Sequence, residues 1–498
     1  MLVAHDLGTT GNKASLHQDD GATVASVTVE YPAHFGRDGV AEQDPEDWWS
    51  AVGEATRLLL ERTRTGPGEV SGIGMSGQMM GAVFLDGELN AVRPAMIWAD
   101  YRSVTQAQQL VERVGFDAAY DELGHRIHPT YTLAKVMWLR DNEPQAWERT
   151  RHVCMAKDFV VARMTGVLVT DPSDASGTNA YDQVGHRWSD RMLEAARIPD
   201  RVLPRIVSST TVVGGLTAAA AEHLGLEVDT PVVLGGGDGP MAGVGAGVIT
   251  SQDAAYVSLG SSSWISASRT QPLHDPAKRS MTFDHVVPDH FVPTATMQAG
   301  GASLSWVMEL FGGDDATYSR LLAEADEVPA VDEDLYFLPH LMGERSPYWN
   351  AAAAGTFVGL RRHHRPAHLV RAVLEGVGFN LRTCKDAFTD NGIEVGALDV
   401  IGGGAQSDVW MGILADVWQV PVRRRSIVAD ANSLGAAVTA AVGLGLVDGF
   451  ETARSLSEIT ATFEPDRSRQ DRAHPQHRRF LDAYQQLEPW FEGREASP

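Results

Sequence analysis

The sequence is poor in cysteine and in basic residues, and it lacks a long apolar run. Cys154 and Cys384 are the two cysteines among 498 residues, and their separation argues against a disulfide scaffold or a thiolate zinc site. Lysine and arginine total 41 against 65 acidic residues, so the net charge of -24 repels nucleic acids and anionic membrane surfaces. The apolar run at 434–447 is too short to cross a bilayer, and the first residues do not resemble a signal peptide. These features predict a cytoplasmic protein without a nucleic-acid or membrane partner.

The length of the chain predicts two domains of similar size. Its 498 residues exceed the roughly 250–300 residues at which one hydrophobic core stops growing. Predicted strands and helices alternate along the sequence, which indicates α/β layering. We expect a first domain at residues 1–248, a second at 249–465, and a helix within 466–498 that packs on the surface.

Two strand-turn-strand segments about half a chain apart indicate a duplicated architecture. The sequence Asp-Leu-Gly-Thr-Thr at 6–10 returns as Ser-Leu-Gly-Ser-Ser at 258–262. Such turns expose backbone N–H groups and hydroxyls that can surround a phosphate. Asp6 ends a buried strand just before the first turn, where its carboxylate would suit Mg²⁺ directly or through water. An ordinary hairpin containing an aspartate would have the same sequence, so this alternative stays open.

One carboxylate lies within the glycine-rich segment 235–247. Asp238 follows an apolar strand, and we expect it to act as a general base toward a hydroxyl. The segment Gly237–Ala242 also satisfies the G-x-G-x-x-A pattern of an NAD-dependent enzyme. That interpretation lacks an acidic residue at the end of the next strand, and Pro240 is expected to interrupt the first turn of the helix. A P-loop is excluded, because G-x-x-x-x-G-K-[ST] occurs nowhere in the sequence.

A third glycine-rich loop leads from a predicted strand into a predicted helix. Gly402, Gly403 and Gly404 precede Ser407 and the helical segment that begins near residue 408. Such a loop suits an adenine, a ribose or a phosphate, because N–H groups and the helix dipole are exposed there. A plain strand-to-helix turn would look the same. Three glycine-rich loops in two halves together favour a nucleotide-binding protein.

The segment 355–376 resembles the C-terminal signature of the FGGY carbohydrate kinases, a family within the actin-like ATPase superfamily. It reads Gly-Thr-Phe-Val-Gly-Leu at 355–360 and His-Leu-Val-Arg-Ala-Val-Leu-Glu-Gly at 368–376, and it fits at every constrained position. The segment 132–142 approximates the other signature of the family, with Thr130 where a different residue type is expected. Further stretches are similar to xylulokinases, namely 76–79, 98–102, 157–158, 173–178 and 338–347.

This resemblance implies an α/β fold of two actin-like (RNase H-like) ATPase domains with a cleft between them. It implies a kinase that uses ATP and Mg²⁺ and phosphorylates a small sugar, with D-xylulose as the first candidate. In the implied roles, Asp238 is the catalytic base and Asp6 is the Mg²⁺-side carboxylate. The implied nucleotide contacts are Thr9, Thr10, Gly260, Ser261, Gly402, Gly403, Gly404 and Ser407. The implied sugar contacts are Met79, Met80, Asp100, Arg102 and Asp238.

Two pairs of charged residues near these positions have simpler interpretations. Asp100 and Arg102 would form a salt bridge on a loop if Asp100 did not bind the sugar. We expect Glu344 and Arg345 to form an interdomain ion pair outside the site.

One position departs from the xylulokinase pattern. Those kinases usually read Gln-Met-His-Gly where this chain reads Gln-Met-Met-Gly at 78–81, so a thioether replaces a hydrogen-bonding imidazole at Met80. Another ketopentose, a deoxysugar or a polyol would suit Met80 better. A non-catalytic, nucleotide-dependent binding or regulatory protein is a further alternative, against which the presence of Asp6 and Asp238 argues. Relatives commonly form homodimers, so the resemblance also allows a homodimer.

Overall fold

The chain folds around two large β-sheets, one in each half of the sequence. The computed structural model describes residues 1–328, 331–427 and 430–493. Within these residues, one seven-stranded sheet is built from residues 2–237 and another from residues 255–463. Each sheet has its own large cluster of buried apolar side chains. We call the two parts the first lobe and the second lobe, and they confirm the predicted two-domain α/β architecture.

The elements of the first lobe are numbered in chain order. Its strands are β1 (Leu2–Leu7), β2 (Gly11–His17), β3 (Thr23–Glu30), β4 (His34–Phe35), β5 (Ala41–Gln43), β6 (Gly72–Gly77), β7 (Val83–Leu85), β8 (Ala95–Met96), β9 (His152–Cys154), β10 (Val169–Thr170), β11 (Tyr181–Asp182), β12 (Arg187–Trp188), β13 (Arg205–Ile206), β14 (Val212–Gly215), β15 (Pro231–Val233) and β16 (Gly236–Gly237). Its helices are α1 (Pro45–Thr63), α2 (Val104–Val114), α3 (Phe116–Leu123), α4 (Thr132–Asn142), α5 (Pro144–Arg149), α6 (Ala156–Thr165), α7 (Pro172–Ser176), α8 (Asp190–Ala196), α9 (Ala218–Leu224) and α10 (Asp238–Gly245).

The numbering continues through the second half of the chain. The strands there are β17 (Ala255–Leu259), β18 (Ser263–Ser266), β19 (Met281–Asp284), β20 (Phe291–Met297), β21 (Tyr336–Leu338), β22 (Thr356–Val358), β23 (Leu398–Ile401), β24 (Val422–Arg425) and β25 (Ile459–Phe463). The helices are α11 (Gly301–Glu309), α12 (Asp315–Asp326), α13 (Pro366–Thr389), α14 (Asp408–Trp418), α15 (Ala431–Gly443), α16 (Thr452–Leu456) and α17 (Gln470–Glu492).

The two sheets share one strand order. In the first lobe β3, β2 and β1 form an antiparallel meander, and β6 and β15 continue the sheet parallel to β1. In the second lobe β20, β18 and β17 form the meander, and β23 and β24 continue it in parallel. The repeated order confirms the duplication predicted from the two similar hairpins.

The strand register brings the glycine-rich turns of each lobe together. Asp6 in β1 lies opposite Ser76 in β6, and Gly236 in β16 lies opposite the same serine. Ser258 in β17 lies opposite Ile401 in β23. Because parallel strands end at the same edge of a sheet, the turns that follow these strands are neighbours.

Helices α10 and α15 pack closely against each other at the base of the two lobes. A Cβ at Gly435 would lie 2.2 Å from the carbonyl oxygen of Met241, and one at Gly245 would lie 1.9 Å from that of Ala431. Helix α15 also packs on the first sheet, where a Cβ at Gly74 would lie 2.3 Å from the carbonyl oxygen of Ala436. Glycine is therefore required on both sides of this contact, and a helix from the second half of the chain covers the sheet of the first.

Several helices agree with the sequence, and one prediction about a helix is wrong. Helix α14 spans the predicted 408–418, while the predicted 369–382 is the interior of the longer α13. Pro240 was expected to interrupt a helix, yet α10 begins at Asp238 and includes it in the first turn. The N–H that proline lacks would have no helical partner at this position, so the turn tolerates it.

The C-terminal helix α17 packs on the second lobe. Phe480 and Tyr484 are buried against its apolar core. None of the helices in the described residues combines the length and the apolar character that a membrane span requires.

Candidate active site

A cavity of about 220 Å³ lies between the two lobes, beside the turns that follow β1 and β17. The first lobe contributes Thr9, Met79, Met80, Trp98, Asp238 and Gly239, and the second contributes Ser262, Trp264, Met281, Phe283, Thr294, Thr296 and Arg345. The walls combine apolar side chains with a few polar groups, as is usual for a small-molecule site. The lining therefore suits a small ligand that carries hydroxyl groups.

Asp238 is the only carboxylate among the residues that line this cavity. It begins α10, and its Oδ1 accepts the N–H of Gly239 at 2.8 Å. Enclosure by the protein and, next, the charge of Asp6 raise the pKa of Asp238 to about 7. A carboxylate with a pKa near neutral pH is well suited to accept a proton from a bound hydroxyl.

Asp6 lies at the end of β1, near enough to Asp238 for its charge to affect that residue. Its Oδ1 accepts hydrogen bonds from Ser76 Oγ at 2.8 Å and from Asn432 Nδ2 at 3.3 Å. Burial raises the pKa of Asp6, and these two hydrogen bonds oppose the shift. A carboxylate is the donor type that Mg²⁺ prefers, so the residues present fit a magnesium ion at Asp6.

The turn after β1 contains both predicted threonines. Thr9 lines the cavity, and its Oγ1 accepts a hydrogen bond from Trp98 Nε1 at 2.9 Å. Thr10 is exposed, and its carbonyl oxygen accepts the N–H of Tyr31 at 3.2 Å. The turn is thus held at its backbone while the side chain of Thr10 stays open to solvent.

The turn after β17 contacts a glycine pair that the sequence analysis missed. The carbonyl oxygen of Gly260 accepts the N–H of Gly301 at 2.7 Å, and that of Ser261 accepts the N–H of Ala302 at 3.1 Å. A Cβ at Gly300 would lie 1.9 Å from Ser263 Oγ, so the approach is too close for any other residue. The signal was present in the sequence, since Gly300 and Gly301 separate a strand from a helix as the other glycine loops do.

The glycine triplet at the end of β23 lies against the same turn. Gly402 has a φ of 88°, and a Cβ there would lie 2.8 Å from the carbonyl group of Leu259, which precedes Gly260. Gly403 has open space around it. Ser407 accepts the N–H of Trp410 at 3.2 Å and so caps α14, which gives this serine a structural role. The predicted nucleotide loops of the second lobe therefore form one continuous surface.

Met79 and Met80 both line the cavity, and their contact with a sugar stays a prediction. Met80 adopts a φ of 64°, which non-glycine residues seldom do. The buried Lys135 holds it there by donating a hydrogen bond to its carbonyl oxygen at 2.8 Å, together with bonds to two other carbonyls. The backbone at Met80 is therefore held by a long-range contact.

Asp100 and Arg102 form a salt bridge and do not line the cavity. Arg102 donates to both oxygens of Asp100, at 2.7 Å for the shortest contact, and also to Glu42. Asp100 is fully buried and accepts the N–H of Ala41 at 2.8 Å. The geometry matches the salt-bridge alternative, and these residues support the loop that carries Trp98.

Arg345 was excluded from the site by sequence reasoning, yet it lines the cavity. The expected ion pair with Glu344 is wrong, because Glu344 accepts from His340 Nδ1 at 3.0 Å and from Asn380 Nδ2 at 3.0 Å instead. Glu344 also accepts the backbone N–H of Arg345 at 2.9 Å and so fixes its position. No charge pattern in the sequence separates a paired arginine from one that faces a cavity.

A second group of potential metal ligands lies on the surface of the second lobe. Glu333, His363 and His364 bring one ligand atom each within 4.8 Å of one another. Nδ1 of His364 accepts the N–H of Arg361 at 3.1 Å, which places the ring proton on Nε2, the atom that faces Glu333. Glu333 also forms a hydrogen bond with His363 Nε2 at 2.8 Å, so contacts within the group already occupy part of its ligand atoms.

Comparison with known proteins agrees with this geometry. Residues 1–245 match the model of the N-terminal domain of the FGGY family of carbohydrate kinases, and residues 255–444 match that of the C-terminal domain. The chain is 34% identical over 453 residues to xylulose kinase of Lactococcus lactis subsp. lactis, covering 90% of this chain and 89% of that protein. It is 33% identical over 489 residues to xylulose kinase of Escherichia coli K12, covering 98% and 99%. The structure of gluconate kinase from Lactobacillus acidophilus superimposes with a TM-score of 0.91 at 27% identity, covering 98% of each chain. The chain belongs to the FGGY family of carbohydrate kinases.

Proposed function

We propose that this kinase transfers the γ-phosphoryl group of ATP to a terminal hydroxyl of D-xylulose, which yields D-xylulose 5-phosphate. The observation that carries the proposal is the position of Asp238 in a small cavity between the lobes, with a pKa raised to about 7. The names of similar proteins support a sugar kinase and favour xylulose.

In the proposed mechanism, Asp238 accepts the proton of the attacking hydroxyl. This contribution is typically worth about 10²–10⁴ in rate, and positioning and charge neutralisation supply the rest. The turns that contain Thr9, Thr10, Gly260 and Ser261 would hold the phosphates, and the triplet 402–404 would hold the adenosine part. A magnesium ion at Asp6 would neutralise charge on the phosphate oxygens. The enclosure between two lobes would exclude water and so limit hydrolysis of ATP.

A second substrate class is favoured by Met80. Its thioether cannot donate the hydrogen bond that an imidazole would give, so another ketopentose, a deoxysugar, a polyol or an aldonate such as gluconate is the alternative. A non-catalytic regulatory role is less well supported, because Asp6 and Asp238 are both in place. The dinucleotide interpretation of Gly237–Ala242 has no support from the family.

A coupled assay of ADP release across a substrate panel tests the proposal. The panel contains D-xylulose, other pentuloses, hexuloses, polyols and gluconate, each with ATP and magnesium. We expect D-xylulose to give the highest kcat/KM. A higher value for another member would replace xylulose, and no stimulated turnover with any member would favour the regulatory alternative.

We further propose that the chain divides at residues 1–248, 249–465 and 466–498, and that the enzyme is cytoplasmic. The separate cores of the two sheets support the first boundary. A homodimer stays a prediction, which sedimentation of the purified enzyme would test.

A further inference from the structure

The backbone on either side of Asp238 is held by one side chain from each lobe. The N–H of Gly237 donates to Ser173 Oγ at 2.9 Å, and Ser173 belongs to α7 of the first lobe. The carbonyl oxygen of Gly239 accepts from the hydroxyl of Tyr256 at 3.1 Å, and Tyr256 belongs to β17 of the second lobe. These bonds flank Asp238 directly, so together they limit rotation of the backbone that carries its carboxylate.

Ser173 is itself fixed in orientation by a buried carboxylate. Its hydroxyl donates to Asp171 Oδ2 at 2.5 Å, which leaves its lone pair to accept the N–H of Gly237. Asp171 also accepts from Ser209 Oγ at 2.8 Å and forms an ion pair with Lys157 at 2.9 Å. Because every one of these side chains is buried, no water competes for the contacts.

The charged group behind Ser173 is unusually dense for a protein interior. Lys157 Nζ lies 2.6 Å from Asp158, 2.9 Å from Asp171 and 3.1 Å from Asp174. Burial of several charges is costly, and a packed apolar group would serve stability at least as well. The group lies directly against residues 236–239, here called the base segment, since a Cβ at Gly236 would lie 2.6 Å from Ser173 Oγ and 3.1 Å from Asp171 Oδ2.

The Tyr256 hydroxyl, which contacts Gly239 from the second lobe, is likewise oriented by a neighbouring side chain. Trp264 Nε1 donates to the hydroxyl of Tyr256 at 3.2 Å, which directs the hydroxyl proton toward the carbonyl oxygen of Gly239. Trp264 lines the cavity, and Tyr256 is buried beneath it. The Tyr256 hydroxyl therefore bonds to a backbone carbonyl next to Asp238 and not to the carboxylate itself.

We propose that Ser173 and Tyr256 are positioning residues that hold Asp238 from opposite lobes, so that the base is correctly oriented only when both lobes contact its segment. The inference rests on the proposed function of Asp238 as the base. Ser173 does not line the cavity and Tyr256 lies behind Trp264. Both residues should therefore affect kcat and leave binding of the sugar and of ATP unchanged.

The test compares Ser173→Ala and Tyr256→Phe with matched controls. Ser209→Ala removes a hydroxyl that donates to the same oxygen of Asp171, and it keeps the backbone carbonyl of Ser209 that accepts the N–H of Gly235. Tyr181→Phe removes a buried hydroxyl that donates to Asp284. We expect the two test variants to lower kcat at least about tenfold, because small misplacements of reacting groups are costly, with both KM values within about twofold of the wild type. Sugar binding by calorimetry should keep the wild-type stoichiometry and affinity, and the controls should keep the wild-type kcat.

Two results would overturn the proposal. One is a kcat in both test variants that equals that of the controls. The other is a kcat loss that only follows a smaller fraction of protein able to bind sugar, since that would indicate a folding defect. If Ser173→Ala fails to fold, Tyr256→Phe decides alone, because it removes one oxygen and leaves Ser173 in place. Near wild-type kcat in Asp238→Ala would instead remove the assignment of Asp238 as the base. If Asp238→Ala is inactive while Ser173→Ala and Tyr256→Phe keep the kcat of the controls, only the positioning role is removed.

Discussion

The charge of Asp6 raises the pKa of Asp238, although 232 positions separate the two residues in sequence. Asp6 is the last residue but one of β1, and Asp238 begins α10. Strand β6 pairs both with β1 and with β16, which leads into α10. Enclosure by the protein is the larger cause of the shift, and the nearby carboxylate adds to it. The two acids therefore form one electrostatic unit at the edge of the first sheet.

The pH dependence of the rate should report this pair. Asp238 has a pKa of about 7, raised from the ordinary value, so it is protonated below that pH and cannot accept a proton. We expect kcat/KM for the sugar to rise with pH through about 7 and then reach a plateau. Initial rates in buffers between pH 5 and 9 would measure kcat/KM as a function of pH. A kcat/KM that stays level down to pH 5 would contradict the role of Asp238.

Asp6→Asn should shift the acidic limb of this profile, the rise of kcat/KM with pH, and lower the affinity of the enzyme for magnesium. The change removes a charge that raises the pKa of Asp238, so the limb should shift to lower pH. The amide oxygen can still accept from Ser76, which limits structural damage. A magnesium titration should show a higher half-saturating concentration. If the pH profile of kcat/KM and the magnesium titration were both unchanged, Asp6 would have no part in the reaction.

Asp238→Ala should lower kcat by about 10²–10⁴ and leave the fold intact. Steady-state kinetics and the midpoint of thermal unfolding would measure the two properties. Asp253→Ala serves as the control, because Asp253 bonds to Arg454 and does not line the cavity. An equal loss of kcat in both variants would indicate an indirect effect.

Met80→His should improve the use of D-xylulose. Histidine tolerates the φ of 64° at this position and adds a hydrogen-bond donor to the cavity. One additional hydrogen bond of about 1 kcal/mol corresponds to about a fivefold gain in kcat/KM. Met80→Leu is the control, since it removes the thioether and adds no donor. A loss of xylulose turnover in Met80→His would favour a different substrate.

Two glycine substitutions should have opposite effects on stability, one at the contact between α10 and α15 and one inside α14. Gly435→Ala should lower the free energy of unfolding by about 1–3 kcal/mol, because the new methyl group would meet the carbonyl oxygen of Met241 at 2.2 Å. Gly412→Ala lies inside α14 with no atom near its Cβ, so it should raise stability by about 0.5–1 kcal/mol. Urea unfolding of both variants would check the signs. A neutral Gly435→Ala would mean that the helices separate easily.

Local sequence patterns predicted much of the fold and of the site. The hairpins at 2–17 and 255–266 and the helix at 408–418 follow from alternation, glycine turns and helical spacing. The same patterns identified Asp6, Asp238 and the glycine loops, because their chemistry is visible within a few residues. The prediction for Pro240 failed since the position of a proline within the first helical turn decides its effect.

Other features could not be predicted, because they depend on contacts between distant segments. Arg345 was paired with Glu344 on sequence proximity, but folding directs Glu344 to His340 and Asn380. The sequence left two roles open for Asp100, contact with the sugar or a salt bridge to Arg102, and the fold forms the salt bridge. Gly300 and Gly301 follow the pattern of the other loops, yet only the sheet order shows that they adjoin Gly260.

The sequence by itself determined the duplicated α/β architecture, the two similar hairpin turns and the identity of the two acidic residues. The tertiary structure alone decided which side chains share the cavity, that the pKa of Asp238 reaches about 7, and that Ser173 and Tyr256 hold its backbone. The physical reason is the distance along the chain over which each kind of interaction acts. Backbone preferences act over a few neighbouring residues, whereas burial and charge proximity depend on which distant segments the fold brings together.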